Sequence, residues 1–292
     1  MNSTMPKAFV LGGQGGLLGR ALTAALGAKG WDVVASIPGE FDYFAGDLYD
    51  KLSAKIDKAE PACIFNCVAY TNVEAAESNE EEAMVLNRSV PSVIARIVKE
   101  RPTRLVHFST DFVFDGRKTT PYTVSDSTNP LSAYGRTKLA GEDAINEAAL
   151  ERYNIIRTAW LFGSGKKNFV RTMLNICRER GEAKVVFDQI GSPTYALDLA
   201  NYTLALVELE ASGLFHIVNS GQASWCELAA EAANYSFVEC QITPVPSTEF
   251  PSKVTRPAYS VLDTSSFTQI TGMVPRAWPQ ALREYLMLDD VE

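Results

Sequence analysis

Histidine is almost absent from this chain, with 2 among 292 residues. Each one, His107 and His216, sits inside a β-like apolar run, Leu105 to Phe108 and Leu214 to Val218. Such residues are expected to be structural, so a Ser-His-Asp hydrolase or a histidine-bound metal has almost nothing to build with. Cysteine is sparse and odd in number: Cys63, Cys67, Cys177, Cys226 and Cys240 are scattered along the chain. That distribution argues against a disulfide framework or a zinc site and predicts core thiols in a reducing compartment. There is no basic excess either. A formal net charge of -8 and a pI near 5.0 offer no basic face to nucleic acid or to an anionic membrane. No apolar run approaches the roughly 18 residues of a membrane span, and the short run after Lys7 lacks a signal-peptide cleavage region, which predicts a cytoplasmic protein. Internal repeats and low-complexity tracts are lacking as well.

What is present is a composition, 46% hydrophobic and 21% charged, that can bury a sizeable core as one large or two interleaved domains. The N-terminus carries the first strong local signal. Ala8 to Leu11 reads as a short buried strand, and it leads into Gly13-x-x-Gly16-x-x-Gly19 and an apolar helix start. Such a turn lets backbone approach a pyrophosphate, and the helix N-terminus offers it free amides and the positive end of a dipole. A second strand at Trp31 to Ala35 closes a βαβ unit of the expected length.

The second signal is Tyr134 and Lys138, 24 and 28 residues after Thr110 of Ser109-Thr110-Asp111. A spacing of four places phenol and ammonium on one helix face, where the cation is expected to favour the phenolate and lower the tyrosine pKa. Such a tyrosine gives a proton to a carbonyl oxygen or takes one from an alcohol.

Further β-like runs at 62–68, 105–109, 153–158, 185–187 and 214–218 alternate with helical patterns at 79–101, 134–149, 168–180 and 197–208. That alternation predicts an α/β fold, a doubly wound parallel sheet of Rossmann type. From about Trp225 the chain turns to loops and prolines, among them Pro244, Pro246, Pro251 and Pro257. The expected division is a dinucleotide-binding domain from 1–162 and 183–222, with a smaller α/β substrate lobe from 163–182 and 223–292 over the carboxyl ends of the strands.

Seven collinear segments extend these signals. They are Gly13 to Leu22, Asn66 to Glu77, Ser109 to Gly116, Tyr134 to Glu142, Arg157 to Trp160 with Asn168-Phe169-Val170, Asp188 to Thr194, and Arg256-Pro257. Across nearly the whole chain the sequence resembles the dTDP-4-dehydrorhamnose reductases of the extended short-chain dehydrogenase/reductase group. The resemblance implies reduction, by NADPH or NADH, of the 4-keto group of a nucleotide-linked 6-deoxysugar, dTDP-4-dehydro-L-rhamnose giving dTDP-L-rhamnose. Tyr134 would protonate the C4 oxygen, Lys138 would hold the nicotinamide ribose, and Thr110 would hydrogen-bond the same oxygen. Gly13, Gly16, Leu17, Leu18 and Gly19 would line the pyrophosphate, Asp47 and Leu48 the adenine end, and Val68, Ala69 and Tyr70 the middle of the cofactor. Thr110, Asp111, Trp160 and Arg256 would touch the sugar nucleotide. Some members of the family bind Mg²⁺ and a homodimer is an open option, yet no carboxylate cluster here demands a metal.

The chain departs from the family pattern at two places. Phe112 stands where a tyrosine usually follows Ser-Thr-Asp, which removes a hydroxyl from the sugar site. Ser36 ends the second strand in place of the acid expected to bind a ribose 2′-hydroxyl, with Glu40 the nearest carboxylate downstream; this favours NADPH and leaves NADH open. Phe112 also occupies the position where the sugar-nucleotide dehydratases carry their glutamate, so elimination lacks its base. A second rival is a cofactor-binding regulatory subunit similar to that of methionine adenosyltransferase. The complete set of Thr110, Tyr134 and Lys138 favours the enzyme.

Overall fold

The protein is described here from a computed structural model covering residues 5–250 and 252–288; Pro251 of the proline-rich tail lies outside them. Strand β1 (Lys7–Leu11) sends alternate side chains to opposite faces: Ala8 and Val10 join one core cluster, Phe9 and Leu11 the other. Helix α1 (Leu17–Ala28) and strand β2 (Asp32–Ala35) complete the first βαβ unit, with β2 parallel to β1. Helix α2 (Leu48–Ala59) and β3 (Cys63–Asn66) return the chain to the other side of β1.

Next come the short α3 (Val73–Ala76), α4 (Glu80–Met84) and α5 (Val90–Val98). The pattern at 79–101 predicts one helix, and a π turn at Val85–Ser89 divides it. The turn carries Asn87, fully buried, and π turns of this kind are frequent at functional sites. Strand β4 (Arg104–Thr110) is buried along its whole length, and α6 (Ala133–Glu147) follows after a loop. Strand β5 (Tyr153–Thr158) matches its expected bounds. The short β6 (Leu161–Phe162), α7 (Phe169–Arg180), β7 (Glu182–Val186), β8 (Ile190–Gly191), β9 (Thr194–Tyr195), α8 (Ala196–Glu208) and β10 (Gly213–His216) come next. After β11 (Ala223–Ser224) the chain closes with α9 (Trp225–Tyr235), β12 (Gln241–Val245), α10 (Ser265–Thr271) and α11 (Trp278–Leu288).

The main sheet is six-stranded and parallel, in the order β10-β5-β4-β3-β1-β2. Residues of α1 and α8 build the core on one face, and residues of α2, α5 and α6 the core on the other. The strand order reverses between β1 and β3, and the loops after those two strands open the crevice where ligands of such sheets bind. Strand β7 stands apart from this sheet and pairs with β12. The strand near 185, expected in the cofactor-binding part, therefore belongs with α7 and α9, whose apolar faces pack on it.

Cysteine usage departs from expectation. Cys177 of α7 and Cys240, just before β12, are bonded with Cα atoms 5.2 Å apart, whereas Cys63, Cys67 and Cys226 are free. Sixty-three residues separate the pair, and the packing of α7 on β7, with β12 paired to β7, brings them together.

Candidate active site

The glycine turn after β1 divides its work among its members. Gly12 has φ +78, a conformation that favours glycine. Its N–H donates to Ser36 Oγ at 2.7 Å. A Cβ on Gly19 would collide with the Gly12 carbonyl, so Gly19 is required for helix and strand to close. A Cβ on Gly16, by contrast, would meet no protein atom within 4 Å. Gly16 is also the N-cap of α1 and supplies no side-chain cap. The first amides of this 12-residue helix therefore face a cradle with no side chain to satisfy them, a fit for a pyrophosphate.

Several residues expected at the cofactor turn out to serve the fold. Ser36 is 1% exposed, and its hydroxyl oxygen accepts from Gly12, so it secures the turn from a buried position. Leu18 and Leu48 bury their side chains in the cores, leaving backbone alone for contact. Asp47 pairs with Lys51 at 2.9 Å. Glu40 accepts from Lys55 Nζ at 2.6 Å and from the Ile37 N–H at 3.1 Å. On the other wall, Val68, Ala69 and Tyr70 are half-buried after β3. Asn66 Oδ1 accepts from the Val68 N–H, and Asn87 accepts from the Tyr70 N–H at 2.9 Å while donating to Thr137 on α6. Asn87 thus joins the cofactor wall to the helix of Tyr134 and Lys138. Sequence reading missed it; the only signal was one amide amid an apolar helical pattern.

Helix α6 begins at the Ser132 cap, whose Oγ accepts from the Gly135 N–H. It sits close against its neighbours because Gly135 abuts the Phe112 carbonyl and Gly141 the Asn87 carbonyl, where a Cβ on either would collide. Tyr134, in the first turn, meets Phe112 edge-on at 5.6 Å between ring centroids. Burial pushes its phenol up to about 12, against a hydrogen bond with Thr110 that lowers it. The expected depression by Lys138 does not operate here. Lys138 Nζ donates instead to the Phe108 carbonyl and lies 3.5 Å from His107 Nε2, and burial lowers its own pKa to about 8. His107, read as structural from its apolar run, is therefore a neighbour of the site; burial keeps it neutral.

Thr110 closes β4. Its hydroxyl donates to Asp111 Oδ1 at 3.0 Å and accepts from the Phe112 N–H at 3.2 Å. Asp111 is 2% exposed and receives a second hydrogen bond, 2.6 Å, from Ser260 Oγ, 149 residues along the chain. Burial pushes the Asp111 carboxyl up to about 6 despite these donors. Beneath α6, Glu142 accepts from Ser109 Oγ and from Arg157 Nε and Nη2, an ion pair with both side chains at 5% exposure or less.

A cavity of about 1050 Å³ opens among α7, β7, α9 and residues 247–256, lined by Phe169, Met173, Val185, Trp225 and Arg256 among others. Trp160, at φ +47, is stacked on Trp225 with ring centroids 3.5 Å apart and planes 4° from parallel. Its indole also fills the space where Gly191 lacks a Cβ. Trp160 is thus held as the backing of a cavity-lining ring. Arg256 pairs with Glu74 at 2.9 Å. Among the described residues, no group of three or more His, Cys, Asp or Glu is placed to hold a metal.

Residues 7–290 match the family described as the RmlD substrate binding domain. A dTDP-4-keto-6-deoxy-D-glucose reductase of Streptomyces niveus is 37% identical over 284 residues, covering 96% of each chain. A dTDP-4-dehydrorhamnose reductase of Mycobacterium tuberculosis is 37% identical over 94% of this chain and 90% of its own. The crystal structure of the dTDP-4-dehydrorhamnose reductase of Bacillus anthracis in complex with NADP superposes with a TM-score of 0.93 at 30% identity, covering 98% of this chain and all of that one. The chain is thus an oxidoreductase, and it belongs to the dTDP-4-dehydrorhamnose reductase family.

Proposed function

We propose that the protein uses NADPH to reduce the 4-keto group of a dTDP-linked 6-deoxysugar, with dTDP-4-dehydro-L-rhamnose as substrate and dTDP-L-rhamnose as product. The observation that carries this reading is the convergence of Thr110, Asp111 and Tyr134 by hydrogen bonding, with Lys138 one helical turn beyond Tyr134, at the carboxyl end of β4. The relatives' names support the 4-keto chemistry and differ in the sugar.

A dinucleotide would lie across the Gly16 cradle and along Val68 to Tyr70, and a bound nicotinamide supplies hydride. The rest is done by side chains of this chain. Tyr134, held protonated by its raised pKa, donates its phenolic proton to the C4 oxygen as charge develops there; an alkoxide is a far stronger base than a phenolate, so the transfer is downhill. Thr110 gives its one hydroxyl proton to Asp111 in this structure, and it orients the C4 oxygen once that hydroxyl turns from the carboxylate to the substrate. Lys138 keeps an ammonium hydrogen beyond its bond to Phe108, with which to hold a ribose hydroxyl. No carboxylate stands free at the end of β2, since Glu40 is tied to Lys55 and to Ile37. Lys55 thereby offsets the Glu40 charge that a 2′-phosphate would meet there, which supports NADPH.

The test is NADPH absorbance at 340 nm with purified protein and enzymatically prepared dTDP-4-dehydro-L-rhamnose. Oxidation that requires the keto-sugar is expected. Tight NADPH binding without turnover of any dTDP-4-keto-6-deoxysugar would refute the proposal in favour of a regulatory subunit.

A further inference from the structure

Helix α3 and its C-cap carry two carboxylates three residues apart, Glu74 and Glu77, and each reaches a different part of the molecule. Glu77 Oε1 accepts from the Ala133 N–H at 2.8 Å, at the first residue of α6. Glu74 turns to the loop that follows β12. That loop, residues 247–257, is secured at its start by Asp188, which accepts from the Ser247 N–H and hydroxyl. At its end Pro257 packs on Gly116, where a Cβ would collide. Between these points the described residues form no strand or helix beyond the single 3-10 turn at Ser247–Glu249. Ser252, Val254 and Arg256 of this stretch line the 1050 Å³ cavity.

The middle of this loop, a strap formed by residues 252–256, is held by Glu74 of α3. Ser252 Oγ donates to Glu74 Oε1 at 2.6 Å, and Arg256 Nη2 donates to the same oxygen at 2.9 Å, 178 and 182 residues away in sequence. The Lys253 backbone N–H adds a third hydrogen bond to this carboxylate. Ser252 Oγ in turn accepts from the Val254 N–H at 3.0 Å. The Glu74–Arg256 pair alone would be weak, with side chains 46% and 32% exposed. Three donors from one five-residue stretch on one carboxylate make a local geometry that an isolated surface pair does not. A guanidinium has five N–H donors, so pairing through Nη2 leaves others for an anionic group in the cavity.

We propose that Glu74 is a positioning residue that clamps the strap 252–256, and Arg256 with it, over the substrate cavity. Affinity for the nucleotide sugar, and not the chemical step, then depends on it. The inference rests on reading that cavity as the nucleotide-sugar site. It also gives α3 and its C-cap two roles, with Glu77 on helix α6 and Glu74 on the strap.

The test compares Glu74→Ala and Glu74→Gln with wild type by kinetics, by calorimetry with dTDP and by amide hydrogen exchange. Glu74→Ala should raise KM for the keto-sugar and Kd for dTDP by about tenfold or more, equivalent to about 1.4 kcal/mol. Its kcat should stay within about twofold and its NADPH affinity should not change. Glu74→Gln, which keeps an oxygen for Ser252, should show a smaller KM effect. The Lys253 and Val254 amides should exchange faster in Glu74→Ala. Wild-type dTDP affinity, or wild-type exchange at those amides, in a folded Glu74→Ala protein would overturn the proposal. Absence of turnover by wild type would strike the functional reading, and the exchange and dTDP measurements would still judge the clamp.

Discussion

Asp111 is a buried carboxylate whose cost can be measured. Its side chain is 2% exposed, and its pKa stands at about 6 against 3.8 for a free aspartate, so burial outweighs the Ser260 and Thr110 hydrogen bonds. For an acid whose folded pKa lies above its unfolded value, the native state binds more protons between the two. Stability therefore falls as pH rises from 3.8 to 6, and the full penalty persists above that window. A shift of about two units corresponds to roughly 3 kcal/mol, of which about 1.5 kcal/mol develops between pH 5 and pH 7.5. Asp111→Asn removes the titration while its amide can still accept from one neighbour and donate to the other. Urea denaturation of both proteins at pH 5 and pH 7.5 gives the difference of differences, in which other titrating groups cancel. The asparagine variant should gain about 1.5 kcal/mol on wild type over that interval. An unchanged gap, or a gain by wild type, would refute a buried carboxylate held against its desolvation.

Gly16→Val should abolish NADPH fluorescence enhancement while the protein remains folded, because the new side chain points into the open cradle; Gly19→Ala should lose the fold itself, since its Cβ meets the Gly12 carbonyl. Circular dichroism separates the two, and a Gly16→Val protein with wild-type affinity would contradict the cradle. Tyr134→Phe should keep both ligand affinities and lower kcat by about 10²-fold or more. Single-turnover kinetics at saturating keto-sugar would show it, and a wild-type rate would remove Tyr134 as the proton donor. Arg157→Met should cost about 3–5 kcal/mol in urea denaturation, because it leaves Glu142 of α6 buried without its guanidinium partner; a loss below about 1 kcal/mol would refute a stabilising buried ion pair.

Much of the architecture could be read from the chain because its signals are local. The βαβ unit from β1 to β2, the strand at 153–158 and the helix carrying Tyr134 and Lys138 all follow from spacings of two, three or four residues, which report directly on one strand face or one helix face. The same locality explains what the sequence hid. A spacing of four put Tyr134 and Lys138 on one face but could not disclose that the Lys138 ammonium goes to Phe108 and His107, about 30 residues earlier on β4. The serine at the end of β2 looked like a missing ribose ligand, when its hydroxyl oxygen is spent on the Gly12 amide 24 residues away.

The larger omissions all involve the crossing from the main sheet to the elements around the cavity. Ser260 reaches Asp111, Arg256 and Ser252 reach Glu74, β12 pairs with β7, and Cys240 reaches Cys177. None of these partners lies within one supersecondary unit, and polar residues such as Ser252 and Ser260 carry no periodic signal of their own. Their positions depend on where a loop returns after β12, and that is fixed by the packing of α7, α9 and α11 into a separate core. Chemistry on the sheet side was therefore legible as motif, because strand ends and helix starts impose fixed spacings on it. The register of the strap proposed to hold the nucleotide sugar follows instead from tertiary contacts, and substitution at Glu74 should weaken that binding while Thr110, Tyr134 and Lys138 stay in place.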